Sequence, residues 1–170
     1  REAQKIASMG ICAFASPNRG RAGVIRGGQP LFYSRNTTRH TRDSEFTLSA
    51  LEAAGWPRVD IVYAHAGMDG LLIDALAGHA QGIVLAGVGD GNASDAALAA
   101  LARASQAGVA VVRASRVGSG LVACGGEIDD IGLKFVASGE LNPQKARILL
   151  MLALSVSRDC AQWQRCFEQY

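Results

Sequence analysis

The chain has 170 residues and 17.8 kDa, with 49% hydrophobic residues and a formal net charge of +2. That suffices for one domain with a sizeable core and is too little for two large ones. No apolar run reaches membrane-spanning length and no signal-type start is visible, so neither a membrane span nor a membrane partner is expected. Nine Lys and Arg stand against four acids before Val59. They are scattered among turns without interleaved aromatics, the pattern of a solvated face, and no nucleic-acid partner is expected. Opening on Arg1 instead of Met suggests a chain cut from something longer.

In chain order, residues 23–33 predict a short hairpin around Gly27 and Gly28. Residues 36–46 are polar and turn-rich, and predict irregular structure. The organisation changes near Trp56 and Pro57, so residues 1–57 are expected to be a connector with one hairpin and residues 58–170 an α/β domain. From there short apolar runs alternate with helical patterns: 59–64 then 71–80, 82–87 then 94–108, 109–114, and 132–137 then 142–157. This alternation predicts βαβ units: a small parallel sheet flanked by helices. Ser94 is a cap for the helix from Asp95, Gly108 its stop, and Asn142 with Pro143 opens the next. Residues 159–170 predict a last helix that packs Trp163 and Phe167 against the domain.

Ligands of open parallel sheets sit beyond the carboxyl ends of the strands, which directs attention to loops 64–70, 86–94 and 114–127. The stretch AGVGDGNAS at 86–94 is not a dinucleotide fingerprint, because its third glycine would fall at Asn92. Its glycines fit a tight strand-to-helix turn with positive φ as well as they fit a ligand site. The run from Gly118 to Ala123 does match GxGxxA, but Cys124 and two glycines follow it where a phosphate-anchoring helix is needed. Cys12, Cys124, Cys160 and Cys166 show no metal-ligand spacing and read as ordinary small hydrophobes. His40, His65 and His79 read as loop or helix-end residues.

AGVGDGNAS, VVRASRVGSG, GEIDD and LNPQKARILLMLAL, in that order and closed by QRCFEQY, resemble the carboxyl-terminal half of bacterial type II L-asparaginases and glutaminase-asparaginases. FASPNRGRAGVIRGG and RHTRDSEF extend the resemblance through the connector. It implies a homotetramer of paired dimers, each chain joined to its own larger amino-terminal domain. The nucleophilic threonine and its activating partners would lie in that domain. No TGGTI-like or TDT-type segment occurs here, and Thr37, Thr38, Thr41 and Thr47 lack a lysine and aspartate arrangement. No catalytic residue, metal or organic cofactor is therefore expected in this segment, which alone should be inactive.

The resemblance further implies that Asn92 and Glu127 bind substrate, holding the α-amino group of an amino acid amide in the site of a neighbouring subunit. The glycines of 86–91 would then let a foreign backbone approach. Asp90 departs from the asparagine frequent in the family and is given no role. The implied whole enzyme is a periplasmic or secreted amidohydrolase of amino-acid catabolism acting on L-asparagine, with L-glutamine as a further substrate. Two other readings stay open: an asparaginase-like subunit of a transfer-RNA amidotransferase, and a non-catalytic dimerisation or amino-acid-sensing module.

Overall fold

The computed structural model describes residues 1–170, apart from the side chain of Ala54. Four strands, β5 (Val59–Tyr63), β6 (Gly82–Gly87), β7 (Ala110–Ser115) and β8 (Phe135–Ala137), form a parallel sheet in sequence order. The register pairs Ile61 with Val84, Val84 with Val112, and Val112 with Val136. Continuous apolar strands belong to sheets buried on both faces, and here side-chain alternation sends the two sets to two separate cores. Val84, Val112 and Val136 face α5 (Pro143–Val156) and α6 (Cys160–Gln169), against Leu149, Leu150, Trp163 and Phe167. Ile83, Leu85, Val111 and Phe135 face α2 (Leu71–Ala77) and α3 (Asp95–Gln106), against Ile73, Ala100 and Leu101. Among the described residues no helix is long and apolar enough to cross a membrane.

Caps fix where these helices begin. Ser94 Oγ accepts from Ala97 N at 3.2 Å and Asn142 Oδ1 from Lys145 N at 3.0 Å, each satisfying one of the donors a helix start leaves free. Edge strand β8 is closed by α6: Ala137 N donates to Gln164 Oε1 at 2.8 Å and Gln164 Nε2 donates back to Ala137 O at 3.4 Å. One carboxamide thus stands in for a missing neighbouring strand.

Several expectations are corrected. The segment before Val59 holds two antiparallel ladders instead of one hairpin. The expected pair, β3 (Gly23–Arg26) with β4 (Gln29–Phe32), is present, and β1 (Gln4–Lys5) pairs with β2 (Phe14–Ala15) besides. Two-residue strands carry no readable periodicity. A short helix, α1 (Leu48–Ala54), follows Thr47, whose hydroxyl accepts from Ala50 N at 3.3 Å. The strand expected over 132–137 is only its last three residues. Asp129 caps a helical turn, α4 (Asp130–Leu133), which Lys134 ends in the left-handed region at φ 55°. Helix 71–80 stops at Ala77.

Phe167 is 1% exposed and packs with Trp163 between α5 and the sheet. Phe167→Ala is expected to cost about 3–5 kcal/mol of stability, read as a lower urea midpoint.

Candidate functional site

The site lies at the carboxyl ends of β6 and β7. After β6 the chain folds into a closed loop: Val88 N donates to Asn92 O at 2.8 Å and Asn92 N donates to Val88 O at 2.8 Å. Such closure leaves no room at Gly87, where a Cβ would stand 2.4 Å from the carbonyl carbon of Gly91. Gly91 has φ +75°, and a Cβ there would press on Val122 and Arg113. Contacts within the chain therefore account for Gly87 and Gly91, whereas a Cβ at Gly89, at φ +49°, would meet nothing within 4 Å. Ser94 then caps α3 and also donates to Met68 O, which ties loop 64–70 to the same corner.

The second arm runs from Arg116 to Asp129 after β7. It is held at its base by Arg113, which is fully buried in the middle of that strand. Arg113 Nε and Nη2 donate to Asp130 Oδ1 and Oδ2 at 2.6 and 2.7 Å, a two-pronged ion pair with no exposed surface on either side chain. The remaining reach of the guanidinium goes to main-chain carbonyls: Nη1 to Asp90 O at 2.5 Å and Nη2 to Ala123 O at 3.0 Å. Asp130 Oδ2 accepts in addition from Gly125 N at 2.8 Å, and Asp90 Oδ1 from Ala123 N at 2.8 Å. One buried cation therefore fixes the loop after β6, the loop after β7 and the start of α4 together.

The two residues expected to bind substrate extend from these fixed points and meet. Asn92 stands two residues beyond Asp90, Glu127 two beyond Gly125, and Asn92 Nδ2 donates to Glu127 Oε2. Glu127 is exposed and Asn92 half-buried. Among the described residues neither Asn92 Oδ1 nor Glu127 Oε1 has a donor, so two oxygens at the tip are available as acceptors. The three acids of the GEIDD stretch have separate fates. Asp129 caps α4, Asp130 is buried against Arg113, and only Glu127 faces outward at the tip.

From outside, the amino-terminal residues brace the second arm. Asn18 Nδ2 donates to Gly120 O at 3.0 Å and Gly120 N donates back to Asn18 Oδ1 at 2.7 Å, while Glu2 accepts from Asn18 N at 2.9 Å. The threonines show no catalytic grouping among the described residues: Thr47 caps a helix, Thr38 Oγ1 donates to Asn36 Oδ1, and Thr41 Oγ1 meets His40 Nδ1 at 3.1 Å. All four cysteines are free thiols. Cys166 is buried and Cys160 half-buried, as small hydrophobes should be, whereas Cys12 and Cys124 are exposed, so that reading is corrected for these two. Burial pushes the thiols of Cys160 and Cys166 up.

The family model of the Glutaminase/Asparaginase C-terminal domain matches residues 58–167, which takes in the whole parallel sheet and both arms. The chain belongs to that family. Among its relatives are "L-asparaginase 2" of Escherichia coli strain K12, 42% identical over all of this chain and 49% of its own length, and "Probable L-asparaginase periplasmic" of Haemophilus influenzae, 40% identical over all of this chain and 48% of its own. "Glutaminase-asparaginase" of Pseudomonas fluorescens biotype A is 34% identical, again over all of this chain and 47% of its own length. The chain spans about half the length of the curated relatives it matches, and the resemblance read from the sequence is to their carboxyl-terminal half. Within the family framework, the residues that sequence reasoning missed are Arg113 and Asp130. Their signal was a cation inside an otherwise apolar strand, which cannot be buried without an anionic partner.

Removing one member of that pair strands the other in the core. Arg113→Met is expected to cost about 3–5 kcal/mol in urea unfolding, and Arg113→Met combined with Asp130→Leu to recover more than half of the loss.

Proposed function

We propose that this chain is the substrate-clamping and oligomerisation half of an L-asparaginase, which hydrolyses the side-chain amide of L-asparagine, and also of L-glutamine, to the acid and ammonia. Residues 1–57 serve as the connector and 58–170 as the domain that carries the clamp. The observation that carries the reading is the meeting of Asn92 and Glu127 at the carboxyl end of a parallel sheet, in a chain of this family. An α-ammonium offers three donors and needs acceptors of negative or carbonyl character. Glu127 Oε1 and Asn92 Oδ1 supply two, and the Asn92–Glu127 contact fixes the direction of both.

The covalent step belongs to a threonine of the amino-terminal domain. Its hydroxyl oxygen adds to the amide carbon, the C–N bond breaks as the nitrogen takes a proton and leaves as ammonia, and water then hydrolyses the acyl-threonine to the acid. This half holds the substrate while that occurs. The clamp extends outward from its own domain, which suits service to a nucleophile on a second chain in a dimer of dimers. Exposed Met9, Ile11 and Phe14 near the first ladder, at 86%, 103% and 71%, are apolar surface of the kind that neighbouring protein covers. The periplasmic name of the Haemophilus relative supports a periplasmic or secreted setting.

In the full-length protein Asn92→Ala is expected to lower kcat/KM by the equivalent of about 1–3 kcal/mol without loss of fold. Service in trans is read by mixing chains that lack the nucleophilic threonine with chains carrying Asn92→Ala and Glu127→Ala. Mixed dimers should regain one wild-type site in two. Activity equal to the average of the two parents, in assemblies whose mass confirms mixing, would show that the residues serve their own chain or no site. The 170-residue chain alone should release no ammonia from asparagine.

A further inference from the structure

Asp90 is half-buried between the two arms and touches both. Its carbonyl accepts from Arg113, and its Oδ1 accepts from Ala123 N at 2.8 Å. Because Arg113 Nη2 donates to Ala123 O at 3.0 Å, both peptide groups of Ala123 are held, one by Asp90 and one by Arg113. The other carboxylate oxygen of Asp90 lies against Gly126: a Cβ there would come within 2.9 Å of Oδ2, with every other neighbour at 3.8 Å or beyond. The backbone of Gly126 is outside the positive-φ region, and among the described residues Asp90 Oδ2 is the nearest group that a Cβ there would meet. Glu127 is the next residue.

We propose that Asp90 is a positioning residue for Glu127: hydrogen-bonded to Ala123 and seated against Gly126, it sets where the Glu127 carboxylate stands relative to Asn92. The proposal rests on the reading of Glu127 as a substrate-holding group. What the structure requires of Asp90 is an acceptor of the right length and direction at Oδ1, since its donor is a neutral peptide N–H. An asparagine in its place keeps that acceptor, loses the charge and sets an amide NH2 of similar size where Oδ2 lies against Gly126. An alanine removes the acceptor and opens a space beside Gly126.

The consequence is specific to substrate binding. An arm that carries one acceptor of the ammonium and is displaced binds ground state and transition state equally less well, which raises KM and spares kcat. A loop that merely unfolds in some of the molecules does the reverse, lowering kcat through the loss of active protein at an unchanged KM.

The test is steady-state kinetics of the full-length enzyme on L-asparagine. Asp90→Ala is expected to raise KM about tenfold, as loss of one directed hydrogen bond would, with kcat within about twofold. Asp90→Asn should return KM to within about twofold of wild type. Gly126→Ala, which removes no polar group, should raise KM by a similar factor. Asp90→Ala with Gly126→Ala should be no worse than Asp90→Ala alone, because the added methyl enters the vacated space. The proposal is overturned if Asp90→Ala lowers kcat at constant KM, if Asp90→Asn is as damaging as Asp90→Ala, or if the two single effects multiply in the double variant. Glu127→Ala separates the levels. A raised KM there beside an unmoved one in Asp90→Ala defeats the positioning role alone, and an unmoved KM in Glu127→Ala defeats the substrate-holding role and the positioning role with it.

Discussion

A guanidinium with no exposed surface, in the middle of a parallel strand, is the constraint on which the rest of this structure depends. Taking Arg113 and Asp130 out of water costs several kcal/mol per ion, and the pair persists only because its hydrogen bonds are met. Four donations leave Arg113, two to the Asp130 carboxylate and one each to the carbonyls of Asp90 and Ala123. The requirement to satisfy a buried cation thereby becomes a requirement on three separate chain segments. Neither the loop after β6 nor the loop after β7 can move at its base without breaking a hydrogen bond from Arg113.

The parallel sheet supplies the other half of the design. Its central strands β6 and β7 are buried on both faces and in register, so their carboxyl ends stand side by side and their loops leave from adjacent points. Closure of 88–92 on itself converts the first loop into a short rigid projection, and the braces from Glu2 and Asn18 stiffen the second from outside. Order at the base and exposure at the tip are compatible because the fixed points are two residues behind Asn92 and Glu127. Asn92 and Glu127 can face outward on arms whose roots are hydrogen-bonded to a buried pair of the core.

How far the sequence spoke for itself follows from which forces are local. The runs at 82–87 and 142–157 announced their elements because burial on both faces, or along one helix face, repeats over many residues, and the caps at Ser94 and Asn142 are decided by neighbours three residues away. The β1–β2 ladder pairs two residues with two across a gap, and leaves no such repeat. Lys134 ends α4 in a conformation that its side chain does not advertise, so the apolar pattern of 132–137 overstated the strand. Asn92 and Glu127 were legible only through resemblance, since an exposed acid beside Asp129 and Asp130 is unremarkable alone. Arg113 was passed over: a charge inside an apolar strand signals the need for a partner, but which of the distant acids it takes is settled by tertiary packing.

The central claim is that one buried cation orders both arms. Hydrogen exchange resolved to single amides in wild-type and Arg113→Lys protein tests it most directly, because a lysine keeps the charge and cannot reach Asp130 and two carbonyls in one fork. The account predicts that the amides of Asn92, Ala123 and Gly125 are protected in the wild type although they lie in surface loops. In the variant they should lose protection together while those of Val84 and Val112 in the sheet keep theirs. Loss confined to one arm, or unchanged protection in both, would contradict it.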